Sequence, residues 1–304
     1  MRILHLTDTH LLAEGLHYNK VDTQKLLEDV LEHAQTRQQC DAIVVSGDIS
    51  EDGSPASYTK ARNLIGELGI SWGAPVVWAS GNHDQRGPLR NELGIPGADG
   101  EPINYTVDVA GTRFIVADTS VPRAGWGFLG ESNEWLRAEI NRAYTDNLVS
   151  VVVLHHPPLT PPTELHGALR LADAPTLAHM LHTCEAKPAV ILSGHYHLAR
   201  RSTIAGIPVI VGAAVANKTA THFGLKHEAA HAISGYTVVT ITSGTSDAQV
   251  SSKTVWVSED GQEIFHYLPE QVARIAALAG RPDYTVGALR HWQGEGAELI
   301  GEVV

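Results

Sequence analysis

Cysteine is scarce in this sequence. The 304 residues include only Cys40 and Cys184. One pair of thiols cannot build a disulfide framework or a cysteine-rich zinc site, so both of these ways of stabilising a small domain are excluded. We predict instead that the two thiols are buried near helix ends, where cysteine behaves as a small hydrophobic residue.

Long apolar runs are also missing. No segment approaches the roughly 20 apolar residues that a membrane-spanning helix needs. The chain starts in a short strand-like run, residues 3–7, without the apolar region typical of a secretory signal. The glycine-rich loop that binds nucleoside triphosphates is missing too, which argues against a kinase or an NTPase. We expect a cytoplasmic protein with no membrane partner.

Positive charge is in short supply. The sequence has 22 Lys and Arg against 34 Asp and Glu, which gives a formal net charge of -12. A surface this negative repels polyanions, so a nucleic-acid partner is disfavoured. A small phosphate ester remains acceptable where local cations neutralise it. Histidine is plentiful by contrast, with 17 residues, and it is the commonest side-chain metal ligand.

Short apolar, β-branched runs alternate with helix-like stretches along most of the chain. This alternation predicts an α/β fold. Ser54 and Pro55 are typical of a helix start, since one residue caps the helix and the other suits its first turn. After Ser258 the pattern changes to one helix, residues 269–278, and then a Gly-rich polar stretch. We therefore divide the chain into a domain of residues 1–258 and an extension of residues 259–304. The extension has no obvious partner strand.

Five apolar runs each end in a polar motif. The motifs are Asp8-Thr9-His10, Gly47-Asp48, Gly81-Asn82-His83-Asp84, His155-His156-Pro157 and Gly194-His195-Tyr196-His197. In α/β folds, ligands collect outside the carboxyl ends of the strands, so the five motifs can converge on one site. Each motif alone is weak, whereas all five in this order, each after a strand, are a strong signal.

The ligand chemistry of these motifs indicates a dinuclear metal centre. An extended backbone would point Asp8 and His10 the same way, because alternate residues share a face. Carboxylate, amide and imidazole ligands without sulfur suit manganese, iron, zinc or cobalt. Asp48 is the natural bridge, because one carboxylate can bind two ions. Buried turn residues and core histidines are the alternative, but burying so many of them without partners is costly.

The motif set resembles the calcineurin-like metallophosphoesterase superfamily over residues 8–197. Within it, residues 154–158 and the overall layout resemble the bacterial class III cyclic-nucleotide phosphodiesterases and the related glycerophosphodiesterases. The resemblance implies a two-sheet β-sandwich flanked by helices. It also implies two metal sites that share Asp48: one is completed by Asp8, His10 and His197, and the other by Asn82, His155 and His195.

The resemblance further implies a mechanism. Two divalent ions, with manganese and iron favoured over zinc and cobalt, would hold a bridging hydroxide that attacks phosphorus. Asn82 and His83 would contact the substrate, and His83 would be the acid, oriented by Asp84. His156 is not expected to be a ligand. Purple acid phosphatases carry a tyrosine where this chain has Glu51, so we expect no iron–tyrosinate colour.

The expected substrate is 3′,5′-cyclic AMP, hydrolysed to 5′-AMP. Two alternatives stay open: a glycerophosphodiesterase or broad phosphoesterase, and a scaffold that lost catalysis. The complete ligand set argues against the scaffold. No residue can be assigned to the adenine base from the sequence. Related phosphodiesterases commonly pair, so we expect a homodimer with the extension near its interface; its large apolar residues are Phe265, Tyr267, Leu268, Ile275, Leu278 and Trp292.

One further motif competes with this interpretation. Residues 227–231 match the zinc-protease pattern His-Glu-x-x-His. The match rests on two histidines, His227 and His231, in a histidine-rich chain, and the flanking Gly224 and Gly235 allow only a short helix. We interpret the two histidines as an incidental or cap-loop pair, with a regulatory extra metal and a protease site as alternatives.

Overall fold

The computed structural model describes residues 1–242, 248–258, 261–279 and 296–300. The strands are β1 (Arg2–Leu6), β2 (Ala42–Ser46), β3 (Val76–Ala79), β4 (Tyr105–Val109), β5 (Thr112–Val116), β6 (Val149–Val153), β7 (Val190–Ser193), β8 (Arg200–Ile204), β9 (Ile207–Val211), β10 (Lys218–Thr219), β11 (Glu228–His231), β12 (Gly235–Thr242), β13 (Gln249–Trp256) and β14 (Glu263–Tyr267). The helices are α1 (Thr23–Gln35), α2 (Pro55–Trp72), α3 (Arg86–Leu93), α4 (Ser132–Thr145), α5 (Glu164–Ala168), α6 (Ala174–Thr183) and α7 (Pro269–Leu278), followed by a 3₁₀ turn at Ala297–Leu299.

Two sheets form the body of the protein. One has the strand order β13-β12-β1-β2-β3, and the other has the order β4-β5-β6-β7-β9-β8. Strands β1, β2 and β3 run parallel to one another, as do β5, β6, β7 and β9. Carboxyl ends of parallel strands lie at one edge of a sheet, so this topology brings the loops after β1, β2, β3, β6 and β7 to the two adjoining edges.

The cores follow the two-residue period of the strands. In β6, Val151 and Val153 belong to the core that also contains Ile3 and Val44 of the other sheet. Val152, between them, packs on the opposite face in a core with α4 and α6. Both faces of the central strands are therefore covered, which is typical of parallel strands built from continuous apolar runs. The predicted α/β fold, a two-sheet β-sandwich flanked by helices, is confirmed.

The helix start predicted at Ser54 is confirmed. The Ser54 side chain accepts a hydrogen bond from the backbone N–H of Ser57, and Pro55 is the first helical residue. The helix ends at Gly73, which has a φ of 65°. Both predicted buried thiols are also confirmed. Among the described residues, no helix combines the length and the apolar character needed to cross a membrane.

A third, small sheet has the order β10-β11-β14. It joins the start of the C-terminal extension to the body, because Phe265 of β14 pairs with Ala230 of β11. The expectation that the extension has no partner strand was therefore wrong. Helix α7 of the extension packs with Leu165 and Ala168 of α5. Most of residues 280–304, including Trp292, lie outside the described residues, and the boundary at residue 258 stays a prediction.

The structure also bears on the His-Glu-x-x-His motif, whose last four residues form β11 and not a helix. His227 and His231 do not lie on a short helix, since β11 pairs with β10 and β14. Four residues of strand span roughly 13 Å, whereas one helical turn would place the two imidazoles together. His227 instead lies 3.0 Å from His266, measured from Nδ1 to Nε2.

Candidate metal centre

The structure brings the five motifs together at the carboxyl ends of β1, β2, β3, β6 and β7. We call the seven predicted ligands the ligand face: Asp8, His10, Asp48, Asn82, His155, His195 and His197. The Nε2 atoms of His10 and His197 lie 3.2 Å apart. The Nε2 atom of His197 lies 3.4 Å from Asp8 Oδ1. Residues separated by 187 positions in the sequence thus point donor atoms at one small volume.

Asp48 occupies the centre of the ligand face. Its Oδ2 atom lies 3.2 Å from His155 Nε2 and 3.7 Å from His10 Nε2. Its Oδ1 atom accepts a hydrogen bond of 2.9 Å from the backbone N–H of His83. The carboxylate therefore faces both groups of predicted ligands, which is the placement that a bridging ligand requires.

His10 and His197 belong to the first predicted metal site, with Asp8. Both imidazoles are held through their Nδ1 atoms. His10 Nδ1 lies 2.7 Å from Glu51 Oε2, and His197 Nδ1 lies 2.7 Å from Asn217 Oδ1. Both contacts require hydrogen on Nδ1, which leaves the Nε2 lone pairs facing each other and Asp8. Carboxylate and amide partners of this kind fix the tautomer and the orientation of metal-binding histidines.

The second predicted metal site, formed by Asn82, His155 and His195, contains buried atoms without hydrogen bonds. Among the described residues, Asn82 Oδ1 and His155 Nε2 are buried and lack a hydrogen-bond partner; Asp48 is near His155 Nε2 but outside hydrogen-bond geometry. Burying polar atoms in this way is costly unless something satisfies them. His155 Nδ1 contacts Ser46 O at 2.9 Å, and His195 Nε2 contacts Leu169 O at 3.0 Å. The donor atoms that remain, among them Asn82 Oδ1 and His155 Nε2, fit a divalent cation.

His156 is placed apart from this role. It lies close to His155 and His195, but both of its ring nitrogens are used. Nδ1 contacts Thr119 Oγ1 at 2.8 Å, and Nε2 contacts the Gly125 carbonyl at 3.3 Å. Burial, together with the neighbouring His155, lowers the pKa of His156 to about 3. A neutral imidazole with both nitrogens bonded supports the expectation that His156 is not a ligand.

The backbone around the ligands is strained. Asp8, His10, Asp48, His195 and His197 all have positive φ values, between 43° and 66°, which non-glycine residues rarely adopt. The expectation that an extended backbone aligns Asp8 and His10 was wrong, since left-handed residues do so instead. A Cβ on Gly81 would collide with the carboxylate and backbone nitrogen of Asp48. Packing at the strand ends therefore enforces the geometry.

The predicted acid, His83, is oriented by a different carboxylate from the one expected. His83 Nδ1 lies 3.2 Å from Glu51 Oε2. Asp84 instead accepts hydrogen bonds from the backbone N–H groups of Ile49, Ser50 and Gly81 and from the Tyr58 hydroxyl. The expectation that Asp84 orients His83 was wrong, because the tight turn sends successive side chains in different directions. Asp84 organises the loops, and Glu51 contacts both His83 and His10.

The electrostatics around Asp48 favour positive charge. Burial raises the pKa of Asp48, but His155, His83 and His10 outweigh it and hold that pKa well below its usual range. Burial lowers the pKa of His155 while Asp48 raises it, and the outcome is about 9. Burial also lowers the pKa of His83, but Asp48 and Glu51 outweigh it and raise that pKa to about 10.

The opposite side of the pocket is built from segments that the sequence did not connect with the metal site. We call it the outer wall: Tyr18, Leu165, His166, Leu169, Glu228 and Phe265. These residues line the same cavity of about 130 Å³ as five residues of the ligand face. The rings of Tyr18 and Phe265 are 4.8 Å apart, and Phe265 stacks on Tyr267 at 4.7 Å. Tyr18 comes from the loop before α1 and Phe265 from β14, so only the fold unites them.

The comparisons with known proteins agree with this geometry. The family model described as calcineurin-like phosphoesterase matches residues 1–199. The chain is 34% identical over 211 residues to a probable cyclic nucleotide phosphodiesterase of Rhodococcus erythropolis, covering 69% of each protein. It is 35% identical to a cAMP/cGMP dual specificity phosphodiesterase of Mycobacterium tuberculosis, covering 70% of this chain and 66% of that protein.

Other relatives extend the range of named activities. The chain is 31% identical to a glycerophosphodiester phosphodiesterase of Enterobacter lignolyticus, over 69% of this chain and 78% of that protein. A dimetal phosphatase from Danio rerio shares the fold, with a TM-score of 0.55 and 16% identity over 85% of this chain and 98% of that one. The family match covers well over half of the sequence and includes every predicted metal ligand. The chain belongs to the calcineurin-like phosphoesterase family.

Proposed function

We propose that this protein is a dinuclear-metal phosphodiesterase of small cyclic nucleotides, and that its main reaction converts 3′,5′-cyclic AMP to 5′-AMP. The observation that carries the proposal is Asp48, placed between two groups of inward-facing donor atoms with His83 beside them. Two relatives at 34% and 35% identity bear the names of cyclic nucleotide phosphodiesterases. The pocket wall adds an aromatic pair, Tyr18 and Phe265, of a kind that can stack against a nucleobase.

The ligand face would hold two divalent ions, with manganese and iron favoured. Asp8, His10 and His197 would hold one ion, Asn82, His155 and His195 the other, and Asp48 both. Bound ions of this kind supply an activated water and a positive field for the phosphate. If Asn82 Oδ1 held an ion, the Nδ2 group of Asn82 would remain free to donate to a phosphate oxygen.

His83 completes the reaction as the acid. Its Nδ1–H is held by Glu51, and Asp48 and Glu51 outweigh the effect of burial and raise the pKa of His83 to about 10. The ring is therefore an imidazolium, and its Nε2–H can supply the proton that the leaving ester oxygen needs. General acid catalysis of this type contributes about 10²–10⁴ in rate. Glu51 also orients His10 and lies 3.6 Å from His17 Nδ1, and therefore couples the acid to the metal centre.

A glycerophosphodiesterase is the second candidate, favoured by the relative that bears that name. A panel of cyclic AMP, cyclic GMP, 2′,3′-cyclic AMP, glycerophosphodiesters and phosphomonoesters, assayed with one metal loading, separates the two. We expect cyclic AMP to have the highest kcat/KM. A hundredfold preference for another substrate class, about 2.7 kcal/mol of transition-state stabilisation, would replace the proposal.

Two further features belong to the proposal. We expect a homodimer with the extension near its interface, and sedimentation as a monomer at micromolar concentration would contradict it. We expect the protein to act in the cytoplasm, where cyclic nucleotides serve as messengers, and fractionation of cells would test that location. Metal analysis of protein purified without added metal would decide between manganese, iron, zinc and cobalt.

A further inference from the structure

The outer wall contains a second imidazole, His166, that the proposed reaction does not use. His166 is on α5, is buried, and lines the cavity together with His83, His195 and Glu228. Its ring is perpendicular to that of His195, with the centroids 5.9 Å apart. His166 therefore lies beside the ligand face without belonging to it.

The Glu228 carboxylate and the Thr163 hydroxyl hold His166 at its Nδ1 atom. Thr163 Oγ1 lies 2.9 Å from His166 Nδ1, and Glu228 Oε2 lies 3.4 Å from the same nitrogen. Thr163 in turn donates its hydroxyl proton to Glu228. Glu228 is only 3% exposed and comes from β11, and it is the glutamate of the His-Glu-x-x-His match. The N-cap residue of α5, a residue within α5 and a residue of β11 thus form one hydrogen-bonded unit.

The hydrogen-bond pattern fixes the tautomer of His166. The Thr163 proton goes to Glu228, so Thr163 can only accept from the imidazole. The Glu228 carboxylate can also only accept. Nδ1 must therefore carry the hydrogen, and Nε2 of the neutral ring is an acceptor. No hydrogen bond within the described part of the chain reaches Nε2. An acceptor in the pocket requires a donor on the substrate.

We propose that His166 Nε2 accepts a hydrogen bond from the hydroxyl next to the scissile ester of the substrate, which in a 3′,5′-cyclic ribonucleotide is the ribose 2′-hydroxyl. Glu228 is the positioning residue that holds the acceptor tautomer. The inference rests on the proposed phosphodiesterase function and specifies its substrate class as ribonucleotides rather than deoxyribonucleotides. A site built to bond a hydroxyl discriminates against the analogue that lacks it, because a buried polar atom is then left unpaired.

The test compares three substrates in the metal-loaded full-length enzyme: cyclic AMP, 2′-deoxy cyclic AMP and bis(4-nitrophenyl) phosphate. The parent enzyme should prefer cyclic AMP over its deoxy analogue by about tenfold to hundredfold in kcat/KM. In His166→Leu this preference should disappear, since cyclic AMP alone loses rate. Hydrolysis of the other two substrates should stay within about twofold of the parent, because neither offers the hydroxyl.

Two variants control the test. His222→Leu removes an exposed imidazole outside the cavity and should keep the full preference for cyclic AMP. Glu228→Gln can still accept from Thr163 but lacks the carboxylate, so it should retain only part of the preference while its metal content is unchanged. A merely structural role for Glu228 would lower all three rates together and leave their ratio intact.

The outcomes separate the inference from the function on which it rests. Equal rates on cyclic AMP and 2′-deoxy cyclic AMP in the parent enzyme overturn the inference and leave the phosphodiesterase function in place. A uniform loss on all three substrates in His166→Leu overturns it as well. Hydrolysis of bis(4-nitrophenyl) phosphate without hydrolysis of either cyclic nucleotide overturns the proposed function and the inference together.

Discussion

The ligand face and the outer wall share one cavity but have different origins. Every residue of the ligand face follows a strand of one of the two large sheets, so its position is set by the parallel topology. The outer wall comes from a loop, a five-residue helix and the small third sheet. Backbone at strand ends is rigid, whereas loops vary readily. We therefore expect the chemistry on the side of the pocket that the two large sheets position, and substrate recognition on the side that the loop, α5 and the small sheet form.

The comparison predicts that the largest effect lies at Asp48, where the two halves of the ligand face meet. Asp48→Ala should lose most of both metals and nearly all activity, because both groups share this carboxylate. Asn82→Ala should weaken mainly one site. Elemental analysis of the purified variants measures this, with Asp29→Ala, which lies on α1 outside the pocket, as control. Two full equivalents of metal retained in Asp48→Ala would falsify the bridging role.

The next effect concerns the acid. His83→Ala should keep its metals and lose about 10²–10⁴ in rate on alkyl phosphodiesters. The loss should be much smaller with a 4-nitrophenolate leaving group, which needs no proton. Glu51→Gln should show the same dependence on leaving group with a smaller loss, about tenfold to hundredfold, because it orients His83 without donating the proton. An equal loss on both kinds of substrate would count against the acid.

Asp84 should behave differently from Glu51. Asp84→Ala leaves three buried backbone N–H groups and the Tyr58 hydroxyl without their acceptor. Each of these four groups costs roughly 1–3 kcal/mol, so the free energy of unfolding should fall by roughly 4 kcal/mol or more. Urea denaturation measures the loss. If the variant kept the parent's stability and instead showed the leaving-group dependence of His83→Ala, Asp84 would regain the role first expected of it.

The same contrast explains what the sequence could and could not predict. Strand periodicity places Asp8, Asp48 and His155 at strand ends without any knowledge of long-range contacts. The orientation of His83 depends on Glu51, which lies in another loop, and the sequence carried no sign of that pairing. The partnership of β14 with β11 was missed for the same reason, since strand pairing is a long-range property that no local pattern specifies.

His5 allows a test of the layer beneath the ligand face. It is fully buried, its Nε2 contacts Ser46 Oγ at 2.8 Å, and burial lowers its pKa to about 4 although Asp8 opposes the shift. The unfolded chain binds a proton near pH 6.5 and the folded protein does not, so stability falls as pH drops from 6.5 towards 4. The loss from this residue should be roughly 2 kcal/mol between pH 8 and pH 5.

Replacing His5 separates this contribution from the rest of the protein. His5→Phe should lose less stability on acidification than the parent, whatever its stability at pH 8. Urea midpoints of the metal-free proteins at pH 8, 6.5 and 5 provide the measurement, and His222→Leu, which removes an exposed imidazole, is the control. Parallel pH profiles for the parent and His5→Phe would show that the folded protein protonates His5 as readily as the unfolded chain.

The smallest effect should come from the outer wall, and it tests whether recognition is separate from chemistry. Phe265 stacks on Tyr267 and faces Tyr18, so Phe265→Leu keeps an apolar side chain but removes the aromatic face. An aromatic pair is worth about 0.5–1.5 kcal/mol beyond its buried area. The KM for cyclic AMP should therefore rise about twofold to tenfold with kcat nearly unchanged, because stacking against the base is the same in ground and transition states. Steady-state kinetics on cyclic AMP and on dimethyl phosphate, which has no base, make the comparison, and the dimethyl phosphate parameters should not move. A fall in kcat on both substrates would mean that Phe265 supports the ligand face itself, and the division of the pocket into a catalytic and a recognition side would not hold at this residue.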